Sequence, residues 1–195
     1  VAISPSVADR FLALGATPDQ ILHLPNGVHT ANLAAPIPRC TISGELLPAG
    51  RYFLFLGRLV HRKGADLLLR ALHSICAQTD ASVVIAGQGE EHERLQQMVQ
   101  ELELAERVRF PGIVSGKLKS YLLQNALATI WPSRISEGSS LVVLESAAAS
   151  RPIIAAAVPG LCETVDPQRN GILFEEDSVS ELAQAMLGLA NDPAR

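Results

Sequence analysis

The sequence predicts a doubly wound parallel α/β sheet, a Rossmann-like fold. Three observations support this prediction. Short apolar runs alternate with helical patterns along most of the 195 residues. The apolar runs lack alternating polar side chains, as expected when helices cover both faces of a sheet. Strands and helices that alternate at this length are typical of parallel sheets with crossover helices.

The elements are predicted in order along the chain. The predicted strands are Val1–Ser4, Ile21–Leu24, Tyr52–Leu56, Ser82–Ala86, Val108–Phe110, Ala128–Trp131, Pro152–Ala156 and Gly171–Phe174. The predicted helices are Pro5–Leu14, Ala65–Ala77, Glu90–Leu104, Lys117–Asn125, Ser139–Ser150 and Ser178–Ala190. Ser4 followed by Pro5 is a typical helix start. Asp192 followed by Pro193 is a typical stop for the last helix.

A segment rich in proline and glycine, residues 36–50, interrupts this alternation, and we expect it to be a linker. It separates a small βαβ-like piece, residues 1–35, from a regular α/β domain at residues 51–195. The chain begins without methionine and stops just after a predicted helix. We therefore expect it to be part of a longer protein.

The composition argues against several classes of protein. Hydrophobic residues make up 48% and charged residues 18%, which is typical of a globular chain. A net charge of −4 argues against general nucleic-acid binding, so a phosphate site must be local. The longest apolar stretch, Leu141–Gly160, is interrupted by charges and prolines, unlike a membrane span. Scattered cysteines without metal-ligand spacing indicate a reducing compartment, and we expect a cytoplasmic protein.

The first candidate site is a cationic loop after the predicted strand Tyr52–Leu56. It contains Gly57, Arg58, Lys63 and Gly64. In open parallel sheets, ligands bind at the carboxyl ends of strands, near helix N-termini that attract anions. Arg58 offers a planar fork to phosphate oxygens and Lys63 offers a compact charge. The alternative is a solvated cationic loop that binds nothing.

Two other strand ends have weaker patterns. The turn Gly87-Gln88-Gly89 lacks the third glycine of the dinucleotide fingerprint, so a simple tight turn is favoured over a cleft wall. The strand Val108–Phe110 is followed by a Pro-Gly turn whose backbone can meet a nucleobase edge. Core packing is the alternative role of Phe110.

The most informative feature is a pair of glutamates, Glu137 and Glu145, eight residues apart around a small turn and an apolar run. Glu137 precedes a predicted helix that Ser139 or Ser140 can cap, and it can accept hydrogen bonds from sugar hydroxyls. Glu145 lies about one and a half turns into the helix, where it can chelate a ribose diol. A favourable interaction with the helix dipole, worth about 0.3–1 kcal/mol, is its alternative role. Its neighbours are apolar, so it needs a partner.

A third loop contains Pro159 and Gly160, which bring backbone close to the predicted cleft and precede a short predicted helix. Glu163 in this loop is interpreted either as a helix cap or as a pocket wall. The histidines have no metal-ligand spacing, and no metal site is predicted. His61 is of interest only because it lies in the cationic loop.

Together these motifs resemble the retaining glycosyltransferases of GT-B fold, family four. The matching pieces, in the family's order, are Pro25-Asn26-Gly27-Val28, Gly57-Arg58-Leu59, Lys63-Gly64, Gly87-Gln88-Gly89, Pro132-Ser133, Glu137 with Glu145, and Pro159-Gly160 with Glu163. They cover nearly the whole chain and are specific as a set, although no single piece is. The resemblance implies the C-terminal, donor-binding half of such an enzyme, preceded by the tail of the acceptor-binding half.

The resemblance also implies roles for individual residues. Arg58 and Lys63 hold the donor diphosphate and stabilise the departing nucleoside diphosphate without a metal or cofactor, while Glu137 contacts the donor sugar. These three are the predicted catalytic residues. Glu145 binds the ribose, and the backbone amides at the start of its helix meet sugar and phosphate. The predicted substrate-binding set is Gly57, Arg58, Lys63, Phe110, Glu137, Gly138, Ser139, Ser140, Leu141 and Glu145.

The implied reaction transfers a hexosyl group, with retention of configuration, from a UDP-, GDP- or ADP-sugar. The acceptor, a sugar or a lipid-linked molecule, binds to the missing N-terminal half, which can also bring the full-length protein to the inner face of the membrane. Polysaccharide biosynthesis is the setting that the family implies. Because catalysis needs both halves to close, the fragment alone is expected to be inactive.

The chain departs from the family's pattern at two places. His29 stands where the family often has aspartate, and Ser139-Ser140 replace the commoner aromatic-containing turn. The second change leaves room for a different donor sugar. Two alternatives to a transferase remain, a GT-B sugar-nucleotide epimerase and a non-catalytic sugar-nucleotide-binding module, because fold alone does not determine function.

Overall fold

The computed structural model describes residues 1–30, 33, 36–37, 47, 50–138 and 140–191. The strands are β1 (Tyr52–Leu56), β2 (Ser82–Ala86), β3 (Val108–Gly112), β4 (Thr129–Trp131), β5 (Ile153–Ala156) and β6 (Gly171–Phe174). They form one sheet in the order β3-β2-β1-β4-β5-β6, and all neighbouring strands run parallel. This confirms the predicted doubly wound parallel sheet.

The strand order reverses between β1 and β4, because successive crossovers run outward from β1 in one direction and from β4 in the other. The two strands pair at Leu54 and Thr129. In open α/β sheets, the crevice beyond the carboxyl ends of two such strands is where ligands bind. The fold therefore places the loops after β1 and β4 next to each other at the expected ligand edge.

The α-helices that lie within the described ranges are α1 (Pro5–Ala13), α2 (Ala65–Ile75), α3 (His92–Glu101), α4 (Gly116–Asn125), α5 (Leu141–Ala148) and α6 (Val179–Asn191). All six lie where the sequence predicts a helix. Helix α3 ends earlier than predicted, because Glu103 adopts a left-handed conformation with a φ of 55°. Helix α5 also ends early, before Ser150, which has the same φ of 55°. A residue in this conformation ends a helix.

The core lies between the sheet and the helices. Every residue of β1, β2, β4 and β5 is buried. Helix α2 contacts α3 and α6, whereas α4 contacts α5. The apolar strands without polar alternation thus have the helical cover that the sequence predicted.

Strand β3 extends two residues beyond its predicted end, through Pro111 to Gly112. Proline has no N–H to donate, but β3 is an edge strand, where that loss is tolerated. The Gly112 carbonyl accepts a hydrogen bond of 2.8 Å from Gly87 N. The extension therefore joins the ends of β2 and β3 near the ligand edge.

The two strands predicted in residues 1–24 are wrong. The structure has only a single parallel bridge there, between Ala2 and His23. Ala2 N donates to Leu22 O at 2.8 Å and Leu24 N donates to Ala2 O at 2.9 Å. Ala2 is buried, whereas Leu22 and Leu24 are exposed. A pair of short segments with little apolar cover is marginal as a sheet.

Most of the predicted linker, residues 36–50, lies outside the described residues. The described parts of this region contact α4 and the core. Ile37 N donates a hydrogen bond of 3.2 Å to the Gln124 side chain, which in turn donates one of 2.9 Å to Leu33 O. Leu33 and Leu47 are buried against the core.

Among the described helices, none is both long and apolar enough to cross a membrane.

Candidate functional site

Three loops meet at the carboxyl edge of the sheet, after β1, β4 and β5. Glycines allow their backbones to touch. A Cβ atom at Gly64 would lie 1.9 Å from Pro132 O, and one at Gly160 would lie 1.7 Å from Glu137 O. Glu137 N also donates a hydrogen bond of 3.0 Å to Pro159 O. The loop after β4 thus contacts Gly64 through Pro132 and contacts Pro159 and Gly160 through Glu137.

The ion pair between Lys63 and Glu137 lies where these loops meet. Lys63 Nζ donates hydrogen bonds to both carboxylate oxygens of Glu137, at 2.6 and 2.7 Å. Ser133 Oγ donates a third hydrogen bond of 2.6 Å to Oε1. Both charged side chains are largely buried, with 14% and 10% of their surfaces exposed. The cation and the carboxylate that the sequence assigned to different parts of a ligand therefore bind each other here.

The local backbone explains the position of Lys63. This residue ends a short 3₁₀ segment, His61–Lys63, and is followed by Gly64 in a left-handed conformation with a φ of 69°. Gly64 is the N-cap of α2, and its carbonyl accepts a hydrogen bond of 2.9 Å from Leu67 N. A side chain in place of Gly64 would be strained and would also collide with the Pro132 carbonyl.

Arg134 joins the same loops from another side. Its guanidinium forms a bidentate pair with Asp66, at 2.8 and 2.9 Å, and donates to Asp177 at 2.6 Å and to His61 O at 2.8 Å. The Arg134 backbone N–H donates to Arg62 O at 2.9 Å. Burial of Asp66 raises its pKa, but the hydrogen bond and charge of Arg134 outweigh this, so the pKa lies below its ordinary value. Arg134 thus fixes the cationic loop against the loop after β4.

Arg58 lies in a different environment from Lys63. It is exposed, and among the described residues no side chain or carbonyl forms an ion pair or hydrogen bond with its guanidinium. It lines a groove of about 330 Å³ at the carboxyl ends of β1 and β2. The groove walls are formed by Leu56, Gly57, Arg58, Ala86, Gly87, Gln88, Ile113, Val114, Lys119 and Val142. Gly57 and the Gly87-Gln88 turn therefore line the same groove as Arg58.

Glu145 has the partner that its apolar neighbours require. Lys119 of α4 donates a hydrogen bond of 2.7 Å to its Oε1, and the ammonium also lies 2.6 Å from Oε2. The Oε2 atom is buried and accepts no hydrogen bond of suitable geometry from the described residues. The two ends of the Glu-x7-Glu motif are thus held by two different lysines.

The start of α5 lies between the two glutamates. Ser140 occupies the N-cap position, but its side chain makes no capping hydrogen bond to any described residue. Ser139, the other predicted cap, lies outside the described residues. Gly138 is half-buried, and Leu141 is half-exposed, with 50% of its surface accessible. Among the described residues, no side chain caps the first N–H groups of α5, which are in that respect available to water or an anion.

The N-terminal piece rests on these loops. Ser6 N donates a hydrogen bond of 3.0 Å to Glu163 Oε1, which places the carboxylate at the N-terminus of α1. A Cβ atom at Gly138 would lie 3.3 Å from the Ile3 side chain. Glu163 thus caps no helix in its own loop and is not among the residues that line the groove; it accepts a hydrogen bond from the first turn of α1, whose N-cap is Ser4. Its own loop forms hydrogen-bonded turns instead of the predicted short helix.

Phe110 is not among the residues that line the groove. Its ring packs edge-to-face against His92 of α3, with 5.6 Å between ring centroids. Phe110 lines a separate depression with Glu93, Gln96 and Gln100 of the same helix. The predicted contact between Phe110 and a nucleobase stays a prediction.

Comparison with known proteins identifies the family. The family of glycosyl transferases group 1 matches residues 45–195. The chain belongs to this family. It is thus a glycosyltransferase domain, and the family resemblance that the sequence motifs predicted is confirmed.

Curated relatives of this glycosyltransferase domain are longer than the chain. The GDP-mannose-dependent alpha-(1-6)-phosphatidylinositol monomannoside mannosyltransferase of Mycolicibacterium smegmatis is 31% identical over 205 residues, covering 99% of this chain and 53% of that protein. The D-inositol 3-phosphate glycosyltransferase of Acidothermus cellulolyticus is 32% identical over 202 residues, 92% of this chain and 42% of that protein. The chain therefore spans about half the length of these relatives.

Solved structures show the same fold. The Anabaena protein Alr3699/HepE, solved in complex with UDP and glucose, superimposes with a TM-score of 0.84 at 21% identity, over 99% of this chain and 53% of that chain. The sucrose-phosphate synthase of Thermosynechococcus elongatus gives a TM-score of 0.82 at 27% identity, over 99% and 49%. The predicted fold, the C-terminal half of a GT-B glycosyltransferase, is confirmed.

Two residues of this glycosyltransferase domain had no predicted role, Arg134 and Lys119. Arg134 lies between the predicted motifs, and Lys119 lies on a predicted helix that carried no motif. A buried acid on an apolar helix signals that a cation must be near it, but not which one. The sequence therefore indicated that Glu145 needs a cationic partner. Only the folded structure shows that this partner is Lys119.

Proposed function

We propose that this chain is the donor-binding half of a retaining hexosyltransferase that uses a nucleoside-diphosphate sugar. The observation that carries the proposal is the cluster of Lys63, Glu137 and Ser133 at the reversal of strand order. Beside it lies the groove with Arg58, a cation that has no partner among the described residues. Cations and hydrogen-bond acceptors in this place match the two parts of such a donor, a diphosphate and a sugar.

The proposed chemistry is stabilisation of the leaving group. When the bond between the sugar and the diphosphate breaks, negative charge develops on the departing phosphate oxygen. Arg58 has five N–H donors with no partner among the described residues, and Lys63 directs two of its three N–H donors at Glu137. Cations already in place stabilise such charge without having to reorganise.

Glu137 and Glu145 are proposed to bind different parts of the donor. Glu137 is oriented by Lys63 and Ser133, and its carboxylate is proposed to accept hydrogen bonds from hydroxyls of the transferred sugar. Glu145, eight residues further along, is proposed to accept from the ribose diol. The first N–H groups of α5, between them, are proposed to face sugar and phosphate.

The acceptor is proposed to bind a further domain that the full-length protein contains, because the chain spans about half the length of its relatives. The relative from Mycolicibacterium smegmatis is named for transfer to a phosphatidylinositol mannoside. A lipid-linked or sugar acceptor, and work at the inner face of the membrane, are proposals by analogy with it. Transfer requires the two domains to close around both substrates.

Thermal unfolding of the 195-residue chain with UDP, GDP or ADP tests the donor site. We expect one of the three nucleotides at millimolar concentration to raise the melting temperature, because a ligand that binds only the folded state adds stability, about 1.4 kcal/mol at ten times its Kd. The variant Arg58→Met is expected to lose the response. Arg70→Met is a matched control, because Arg70 is an exposed arginine of α2 without a described partner.

If none of the three nucleotides raises the melting temperature at millimolar concentration, the proposed donor site is wrong. In the full-length protein, the substitutions Arg58→Ala, Lys63→Ala and Glu145→Ala should each lower kcat/KM about tenfold or more, as expected for lost charge-assisted hydrogen bonds. Full activity in all three variants would exclude the proposal. Product analysis without an acceptor distinguishes a transferase from an epimerase.

A further inference from the structure

The contact between Lys119 and Glu145 joins two helices that share no predicted motif. Lys119 lies in the first turn of α4, and Glu145 lies in the middle of α5. Their side chains are 27% and 22% exposed, so both are shielded from much of the solvent. Ion pairs on open surfaces contribute little, but shielded pairs depend strongly on both partners. The contact is therefore more than a chance surface pair.

The pair lies at the wall of the groove that contains Arg58. Lys119 is itself a wall residue, as is Val142, which precedes Glu145 by three residues on α5. Residues three apart on a helix lie on the same face, so Glu145 lies one turn behind Val142. Lys119 therefore lies both at the groove wall and against the Glu145 carboxylate.

The charge of Lys119 explains how α5 can carry an acid at this position. Val142, Val143 and Leu144 precede Glu145, and Val143 is fully buried. A carboxylate among apolar groups is unfavourable unless a cation or hydrogen-bond donors compensate for the lost water. Within the described part of the chain, Lys119 is the cation paired with it.

The two carboxylate oxygens of Glu145 differ in their hydrogen bonding to Lys119. Lys119 Nζ donates a hydrogen bond of 2.7 Å to Oε1 and also lies 2.6 Å from Oε2, where the contact lacks hydrogen-bond geometry. The ammonium charge therefore stabilises both oxygens, but Oε2 receives no aligned donor from the part of the chain that the structure describes. Buried acceptors usually have such a donor, and a ligand hydroxyl could supply it.

We propose that Lys119 is a positioning residue for ribose recognition. It holds the Glu145 carboxylate charged and oriented, so that Oε2 accepts a hydrogen bond from a ribose hydroxyl while Oε1 stays bound to the ammonium. This inference rests on the proposed donor site and adds a residue to it. Lys119 acts through Glu145 and not by its own contact with the diphosphate.

The test uses the 195-residue chain and measures binding of UDP, GDP and ADP, each compared with its 2′-deoxy form. Lys119→Met is expected to weaken binding of the ribonucleotide by about tenfold, the typical effect of losing one charge-assisted hydrogen bond. For the 2′-deoxynucleotide the same substitution is expected to change the Kd by less than about twofold, because the hydroxyl that Glu145 needs is absent.

Two variants serve as controls. Lys117→Met removes the same charge from an exposed lysine of the same helix that has no partner among the described residues, and we expect it to leave both Kd values unchanged. Lys119→Arg keeps a cation that can bind Glu145, and we expect it to restore most of the preference for the ribonucleotide.

Four results would overturn the inference. An equal loss of affinity for the ribo and deoxy forms would mean that Lys119 attracts the diphosphate directly. Tighter binding of the ribonucleotide to Lys119→Met would mean that the ion pair competes with the ligand. An unchanged Kd would mean that the contact only stabilises the fold. If the unaltered chain binds none of the nucleotides, the proposed donor site fails and this inference fails with it.

Discussion

Two ion pairs join the same two segments of the chain. They differ in how many acceptors the N–H donors of each cation have. Lys63 pairs with Glu137, and Arg134 pairs with Asp66, so each pair connects the segment around the start of α2 with the loop after β4. Arg134 additionally binds Asp177 and the His61 carbonyl. Lys63 has no acceptor other than Glu137 among the described residues.

This difference indicates a division of roles. The planar guanidinium of Arg134 is surrounded by fixed acceptors, so a ligand could bind it only by breaking the structure. The ammonium of Lys63 retains one N–H donor and has a single carboxylate as partner within the described residues. The Arg134 pair therefore holds the two loops together, and the Lys63 pair retains a donor for the proposed ligand. Four experiments test this comparison.

The largest expected effect is on stability, in Arg134→Met. Removal of Arg134 leaves the Asp66 carboxylate buried without its partner, and breaking such a pair from one side costs about 3–5 kcal/mol of unfolding free energy. Urea denaturation measures the loss. Arg70→Met, an exposed arginine of α2, is the matched control and is expected to change stability by less than about 0.5 kcal/mol. Equal effects of the two substitutions would contradict the structural role of Arg134.

The second largest effect is expected for Gly160→Ala, which should lower both stability and nucleotide affinity through the loop that contains Glu137. Gly160 has a φ of 85°, and a Cβ atom there would lie 1.7 Å from Glu137 O. We expect a loss of about 1–3 kcal/mol in unfolding free energy, together with weaker nucleotide binding, because the Glu137 backbone must move. Gly15→Ala separates the conformational strain of a left-handed residue from the collision with Glu137. Gly15 has a φ of 96°, but a Cβ atom there would meet no atom of the described residues within 4 Å.

For Gly15→Ala we expect only the conformational penalty and no change in nucleotide affinity. Equal loss of affinity in both variants would show that Gly160 does not position Glu137.

The third effect is on binding, in Lys63→Met. We expect nucleotide affinity to fall about tenfold, because the proposed charge-assisted hydrogen bond from Lys63 to phosphate would be lost. The substitution also leaves Glu137 buried without its cation, so some stability is lost as well. The double variant Lys63→Met/Glu137→Gln separates the two consequences. It should recover most of the stability but none of the affinity, and recovered affinity would exclude a direct role for Lys63.

The smallest effect is the response of stability to acid. The pKa of Asp66 lies below its ordinary value of 3.8, since burial raises it but the hydrogen bond and charge of Arg134 lower it more strongly. The contribution of Asp66 is therefore complete above the unfolded value and is lost as the pH falls through 3.8 and then through the folded pKa. Unfolding free energies measured from pH 5 to pH 3 should fall less steeply in Asp66→Asn than in the unaltered chain.

Much of the fold could be predicted because its signals are local. Apolar runs such as Tyr52–Leu56 and Ile153–Ala156 indicate buried strands, and the spacing between runs indicates crossovers. The single bridge between Ala2 and His23 was harder to predict. A short apolar sequence has the same pattern whether it forms one bridge or a full strand. The early end of α5 at Ala148 depends on the backbone conformation of Ser150, which the residue type does not indicate.

Four charged residues of the candidate site were predictable from the sequence, but their pairing was not, and Phe110, also predicted, does not line the groove. The residues Arg58, Lys63, Glu137 and Glu145 were proposed together because they follow strands or begin a helix at one edge of a parallel sheet. Which cation meets which acid depends on distances across 26 to 74 positions of sequence, as in Lys119 with Glu145 and Lys63 with Glu137. No local rule connects residues that far apart.

The sequence by itself determined the fold class, the family and part of the set of charged groups at the expected ligand edge, because hydrophobic periodicity and short motifs are properties of neighbouring residues. Tertiary structure alone decided three ion pairs. Lys63 binds Glu137, Arg134 binds Asp66 and so connects two loops, and Lys119 binds Glu145. The physical reason is that a charge shielded from water takes the partner that the folded backbone brings within about 3 Å, and only the completed sheet sets those distances.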